Sequence, residues 1–353
     1  MRKFSLQGRN GEILVATVRA YIASGEPVGS RTISRRRREV LSAATIRNVM
    51  ADLEAEGYLE QPHTSAGRVP TEKAYRFYAE EVARPQHHLN PSDEELIRQQ
   101  MWQGAAEGPQ ALLERASHVL SLVTHNLGVV VSATSADLVL RNIQFVSLSE
   151  GRVLVLLLPR SAPLRSRVIR LDETFSQEEL NRIANYLNAN FSGWRLEEAR
   201  REIQRRLEQE RARYDELLRH LAALWRQGIL EAAADTAIYL EGASNLMGRP
   251  ELHTAQALRG LLRALEEKQR LVHLLLRYLQ ADDVPADQPA RVVIGLDTEP
   301  PLRHFALIGA LCHTPQGLAG RVAVLGPPRM QYERVISAVS QVARLVGQAL
   351  GEA

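Results

Sequence analysis

Two side chains with planar, paired hydrogen-bonding edges stand next to each other at Arg47 and Asn48. A guanidinium can donate two parallel hydrogen bonds to one guanine, and a carboxamide can bind the edge of adenine in the same bidentate way. Ala44 is small enough to let a helix sit deep in a major groove, and Thr45 can touch a thymine methyl or a phosphate. Ser42 is a favourable residue for the helix start, and a helix N-terminus supports a phosphate contact. An ordinary surface helix also carries an Arg and an Asn, so the pair gains its meaning from what surrounds it.

Ile46, Val49, Met50 and Leu53 recur at intervals of three and four, which makes an inward apolar stripe on one helix. Residues 10–24 predict an earlier helix, Ser30 to Arg37 a short second one, and Gly57 ends the third. Tyr58-Leu59-Glu60 and Arg68-Val69 then read as two short strands around an exposed QPHTSAG loop. Thr71 to Val82 predicts a fourth helix. Together these elements have the layout of a winged helix-turn-helix, a module that holds double-stranded DNA. In that reading His63 and Thr64 donate to phosphate, and the small residues Ser65 and Gly67 let the loop tip approach the backbone. Arg68 enters a minor groove, where negative potential is concentrated, and Lys73 binds phosphate. The run Arg35, Arg36, Arg37, Arg38 lies at the turn into the third helix, where four charges displace condensed counterions; a solvated charge cluster is the plainer alternative.

The charge distribution points the same way. Residues 1–50 hold ten basic and three acidic side chains, a balance of +7, while the whole chain of 353 residues is only +3, so the remaining 303 sum to −4. A basic first segment on a near-neutral body suits a polyanionic partner docking at one end. The single cysteine, Cys312, excludes an intrachain disulfide and a CxxC zinc site. No signal-peptide pattern is evident, and Val153–Pro159 is too short to span a bilayer, so a soluble, cytoplasmic protein is expected.

Catalytic signals are absent from the rest. Phosphate-cradling glycine loops, the GxSxG elbow and the HExxH helix do not occur. Cys312-His313 would make a poor nucleophile pair, because adjacent strand residues point to opposite faces. His118 and His125 lack a nearby third ligand. No enzymatic activity, cofactor or metal is expected.

Behind Ala83–Asp93, which reads as a linker, residues 93–126 are helical with a break near Gly104–Pro109. Strand patterns follow at 128–133, 139–149, 152–158 and 164–171, then a helix at 176–190. Strands return at 291–297, 304–313 and 318–325 ahead of a final helix, Met330–Leu350. Residues 196–285 show almost no strand signal and carry leucine-rich amphipathic stretches, 196–224 and 258–279. The expected assembly is α+β: an antiparallel sheet with helices, interrupted by a helical insertion. Ile238–Leu252 (IYLEGASNLMGRPEL) stands out as an irregular connection with no assignable ligand. One recognition helix reads few base pairs, so a palindrome-reading dimer is expected, with the leucines of 196–285 as its contact or, equally, as a buried monomeric core.

Ala44-Thr-Ile-Arg-Asn-Val-Met-Ala-Asp-Leu-Glu, the run from Leu59 to Thr71 and Tyr75-Arg-Phe-Tyr resemble the HrcA heat-inducible transcription repressors. So do Gly242-Ala-Ser-Asn-Leu and Leu325-Gly-Pro-Pro-Arg-Met-Gln-Tyr-Glu-Arg-Val-Ile. The similarity runs through essentially the whole chain. It implies a homodimer in which residues 1–84 form the winged helix-turn-helix and 85–110 a linker and helix. A GAF-like domain is then expected in two parts, 111–195 and 286–353, around a dimerising insertion at 196–285. It further implies binding to the inverted-repeat CIRCE operator of chaperone operons, with the GroEL chaperonin keeping the repressor active. The four consecutive arginines at 35–38 depart from the family pattern and put the salt dependence, not the operator class, in question. A metabolite-sensing winged-helix regulator that uses its GAF-like domain is the alternative.

Overall fold

A computed structural model of the chain describes residues 6, 8–36, 41–63, 66–82, 89–133, 138–149, 151–160, 164–171, 175–208, 220–221, 224, 237–247, 249, 255–279, 290–296, 302–315 and 317–352. The first elements are α1 (Arg9–Ser24), α2 (Ser30–Arg36), α3 (Ala43–Ala55), β1 (Leu59–Glu60), β2 (Val69–Pro70) and α4 (Glu72–Val82). Local chemistry sets their ends. Gly25, at φ 75°, ends α1 in a left-handed cap and donates to Tyr21 O, a conformation that costs little without a Cβ. Ile13, Leu14 and Val18 from α1, Ile33 from α2, and Ile46, Met50 and Leu53 from α3 are buried together.

Two helices follow, α5 (Pro91–Glu107) and α6 (Pro109–Thr124), broken at Gly108. Strand β3 (Leu127–Ser132) then enters a five-stranded sheet. A separate three-stranded sheet is made of β4 (Leu140–Ser147), β5 (Arg152–Pro159) and β6 (Arg165–Arg170). Helices α7 (Gln177–Phe191) and α8 (Leu196–Glu208) come next, and Leu180, Ile183, Leu187, Leu196 and Ile203 pack with Ile143, Val155 and Leu157 of that smaller sheet. Strand β7 (Ile238–Glu241), the short α9 (Ser244–Met247), α10 (Ala255–Glu266) and α11 (Lys268–Tyr278) precede β8 (Arg291–Ile294), β9 (Ala306–Thr314), β10 (Gly317–Gly326) and α12 (Tyr332–Glu352).

The larger sheet has the order β7-β3-β10-β9-β8, and every neighbouring pair is antiparallel. Side-chain alternation splits it between two cores. Val130, Ile308, Cys312, Val322 and Val324 meet α6 and α12 on one face. Leu127, Val129, Val131, Leu307, Ala323 and Leu325 meet Leu246, Leu271, Leu274 and Leu275 on the other. Gly347 shows how closely α12 lies on the sheet: a Cβ there would stand 2.1 Å from His313 O.

The mixed α+β composition is as expected. Ile238–Glu241, read from sequence as an irregular connection inside the 196–285 insertion, is hydrogen-bonded to β3 as an edge strand. Among the described residues, the stretch between Ser132 and Ile238 contains β4–β6, α7 and α8, so what separates the sheet's strands carries a sheet of its own. Several leucines of the two amphipathic stretches turn inward, while Leu262 is exposed. Leu196, Ile203, Leu221 and Leu224 pack with the small sheet, and Leu271, Leu274, Leu275 and Leu279 with the large one. The short strand escapes sequence reading for a physical reason. A four-residue edge strand has too few alternations to be distinguished from a loop. Tyr214, Leu217 and Leu218, the linker residues 83–88 and the loop 282–289 lie outside the described residues.

The first module docks on the start of α12. Tyr332 is fully buried, stacked with Tyr75 at 6.3 Å and edge-on to Tyr78 at 5.8 Å. Glu333 accepts from Tyr78 Oη at 2.6 Å and pairs with Arg19 at 3.0 Å. Burial raises the Tyr78 phenol well above its ordinary range. For Glu333, burial works against the charge, but the hydrogen bonds from Tyr78 and Arg19 outweigh it and hold the carboxyl below its usual value. A depressed folded-state pKa stabilises above the unfolded value of about 4.3 and is lost as pH falls through the folded one. Between about pH 6 and about pH 3 the urea midpoint should therefore fall further in the natural protein than in Glu333→Gln. Parallel pH profiles would mean that Glu333 does not hold the dock.

Candidate nucleic-acid interface

Ser42 starts α3 with φ −64° and ψ 147°, and its Oγ accepts from Thr45 N at 3.1 Å. The same hydroxyl lies 2.9 Å from Thr45 Oγ1, and Thr45 is half-buried. With Ile46, Val49, Met50 and Leu53 turned inward, the opposite face presents Ala44, Arg47, Asn48, Ala51 and Asp52, all exposed. The 3.6-residue period makes this division unavoidable. Arg31 and Arg35 of α2 are exposed too. Arg36 is the last residue of α2, and Arg37 and Arg38 lie outside the described residues.

The hairpin is tied to the helices at both ends. Leu59 pairs with Pro70 and Glu60 with Val69. Val28, ahead of α2, adds a third rung, exchanging two 2.9 Å hydrogen bonds with Arg68. Gly67 is required by this closeness, since a Cβ there would meet Val28 C at 2.5 Å. Gln61 Nε2 donates to Ala66 O at 3.0 Å and braces the loop from inside. His63 is exposed at the loop, while Thr64 and Ser65 lie outside the described residues.

Two expected contacts have other engagements. Arg68, assigned from sequence to a minor groove, forms a 2.7 Å ion pair with Glu54 of α3, and its side chain is 20% exposed. The guanidinium therefore clamps the hairpin to the helix. Lys73, expected at phosphate, donates to Glu56 O at 2.8 Å and sits 4.0 Å over the Tyr58 ring. There a cation complements the carbonyl end of α3. Sequence reasoning does not single out Glu54 and Gln61, because their partners lie across the hairpin and only its closure brings them together. It also misses Arg31, although helical phase already places that residue outward.

Cys312 is buried, and burial pushes its thiol up to about 12, so it is a poor nucleophile at neutral pH. His313, beside it, is exposed. Among the described residues no group of three or more His, Cys, Asp or Glu is placed to hold a metal ion. None of the described helices is long and apolar enough to cross a membrane.

Ser42→Ala should remove the cap and cost about 1 kcal/mol of stability, read as a lower urea midpoint. An unchanged midpoint would show that packing alone sets where α3 begins.

Comparison with known proteins follows the same outline. Residues 110–336 match the family described as HrcA protein C terminal domain. The chain is similar to the heat-inducible transcription repressor HrcA of Geobacter sulfurreducens, 38% identical over 343 residues that cover 97% of each chain. It is also similar to the repressor of the same description from Methylococcus capsulatus, 36% identical over 98% of this chain and 97% of that one. Among solved structures, one described as that of a hypothetical protein aligns over 99% of both chains with a TM-score of 0.58 at 22% identity, a likeness of fold.

Proposed function

Because the chain belongs to the HrcA family of heat-inducible transcription repressors, we propose that residues 1–84 act as a winged helix-turn-helix that lays α3 in the major groove of an inverted-repeat operator of the CIRCE type. The carrying observation is the outward face Ala44, Arg47, Asn48, Ala51 and Asp52, backed by a buried stripe and followed at once by the hairpin. Arg47 and Asn48 are the base readers, with Ala44 and Thr45 at close approach. Arg35 to Arg38 and His63, Thr64 and Ser65 meet the phosphates on either side. Arg68 and Lys73 shape the hairpin from within, as their partners Glu54 and Glu56 indicate. In this reading the protein represses chaperone operons, and a GroEL-type chaperonin maintains its active form. In the same reading, residues 111–195 and 286–353 act as the GAF-like domain around the insertion at 196–285.

Operator symmetry calls for a two-fold dimer. The outer face of the small sheet suits that contact. Val146 pairs with Leu154, and Leu154 with Val168, so the three align in one row across β4, β5 and β6. Val146, Val168 and nearby Leu164 are exposed at 38%, 48% and 57%. Contiguous apolar surface of this kind marks interaction sites. Val168→Glu should give a folded monomer that binds one half-site weakly. A full dimer by size-exclusion chromatography would move the contact elsewhere.

Gel shifts against an inverted-repeat duplex, with and without chaperonin, test the main reading. Arg47→Ala should weaken specific binding by about 1–3 kcal/mol and leave binding to scrambled DNA nearly unchanged. Equal loss on both would make Arg47 a phosphate anchor, and no preference for the palindrome at low salt would remove the function.

A further inference from the structure

The smaller sheet has two edges, and the chain treats them differently. On β4 the outward-pointing backbone groups are taken. Ile143 N donates to Asn188 Oδ1 at 2.8 Å, and Asn188 Nδ2 donates to Ile143 O at 3.0 Å. Gln177 Nε2 donates to Phe145 O at 2.8 Å, and Gln177 Oε1 accepts from Ser147 N at 2.9 Å. The carboxamides of Gln177 and Asn188, both on α7, thus stand in for a neighbouring strand. Sheets cover their edges in such ways because a row of open N–H and C=O groups pairs with an extended chain.

Strand β6 is the other edge. Leu171 N donates to Gly151 O at 2.9 Å. Antiparallel pairs alternate, so Ile169, Arg167 and Arg165 turn their backbone groups towards β5. Ser166, Val168 and Arg170 therefore point theirs away from the sheet, and all of them are exposed. Among the described residues no further strand lies beyond β6.

The charge on this edge has one sign. β6 reads RSRVIR, and none of β4, β5 and β6 contains an Asp or Glu. Arg165 donates to Ala133 O at 2.6 Å. Arg167 and Arg170 are exposed and form no ion pair among the described residues. They stand on opposite faces of the strand, Arg167 on the side of Ile169 and Arg170 on the side of Val168. A flat polyanion reaches only one of them at a time, whereas the alternating side chains of an added strand reach both. A second copy of β6 would bring only more arginines to the edge, and like charges facing each other across a strand pair are unfavourable.

We propose that the open edge of β6 accepts an extended segment of another protein whose carboxylates fall on alternate faces of the added strand. The main-chain groups of Ser166, Val168 and Arg170 supply the ladder, and Arg167 and Arg170 select for acids. The same arginines hold a second β6 off this edge, so attraction and exclusion come from one feature.

The inference goes beyond the repressor reading and is tested without operator DNA. Full-length protein is titrated into a fluorescent peptide of repeated Glu-Thr-Val, in which successive acids lie on opposite faces of a strand. Saturable binding by fluorescence anisotropy is expected, and a peptide of repeated Lys-Thr-Val should not bind. Methylating alternate backbone nitrogens of the acidic peptide keeps its charge but removes its ladder donors, and should abolish binding. Ser166→Pro removes an outward-pointing N–H at an edge position that tolerates proline. It should weaken the peptide about fivefold, the loss of one hydrogen bond, while operator binding in gel shifts stays unchanged. Arg167→Gln combined with Arg170→Gln should also weaken it about fivefold and flatten its salt dependence. Should Ser166→Pro fail to fold, the methylated peptide carries the same reading. No peptide binding, equal binding of the methylated peptide, preference for duplex DNA over the peptide, or loss of self-association in Ser166→Pro with peptide binding intact would each overturn the assignment.

Discussion

Three consecutive side chains at the start of α12 join parts of the chain that the sequence keeps far apart. Tyr332 is enclosed by Tyr75 and Tyr78, Glu333 takes Tyr78 and Arg19, and Arg334 takes Asp93 of α5. Below them the same helix lies so close to β9 that Gly347 has no room for a Cβ. The orientation of the first module is thus set by a buried aromatic cluster and by hydrogen-bonded charges at its edge. Removing Glu333 leaves the Tyr78 hydroxyl without its acceptor at the edge of this cluster, and that mutual dependence makes the junction stiff.

Stiffness there matters for the outward face of α3. Under the proposed function, the side chains of α3 must arrive in register with base edges, so its backbone must not drift. The helix is held from three directions: by its buried stripe, by the Ser42 cap, and by the Glu54–Arg68 pair that locks the hairpin to it. Arg47 and Asn48 stay exposed because nothing in this scaffold needs them. Arg68 and Lys73, by contrast, are drawn into the scaffold, where their charge is matched locally. Which cations are built into the scaffold and which stay exposed depends on which of them have a partner after folding.

The body of the protein follows a different constraint. Its five-stranded sheet is buried on both faces, so each strand supplies two cores with alternate residues. This explains why the runs in β9 and β10 are almost wholly apolar and easy to find, and why the intervening β4–β6 unit can be added between β3 and β7 without opening either core. Among the described residues, α7 and α8 cover the inner face of the smaller sheet, and Val146, Leu154 and Val168 form an apolar row on the other.

The amino-acid sequence by itself determined the order and nature of the first elements, from α1 to α4, and which side of α3 faces outward. Those properties depend on helical period, capping and turn chemistry, which act over a few residues. It also contained the hairpin, through Gly57, Gly67 and the short apolar pair on each side. Only the tertiary structure decided that Ile238–Glu241 joins the sheet, that the buried leucines between 196 and 279 serve the chain's own cores, and that Arg68 and Lys73 are already engaged. Strand neighbours and ion-pair partners separated by tens or hundreds of residues are chosen by packing geometry. No local pattern records that choice, because the same leucine stripe or arginine satisfies the rules of periodicity whichever surface it finally meets.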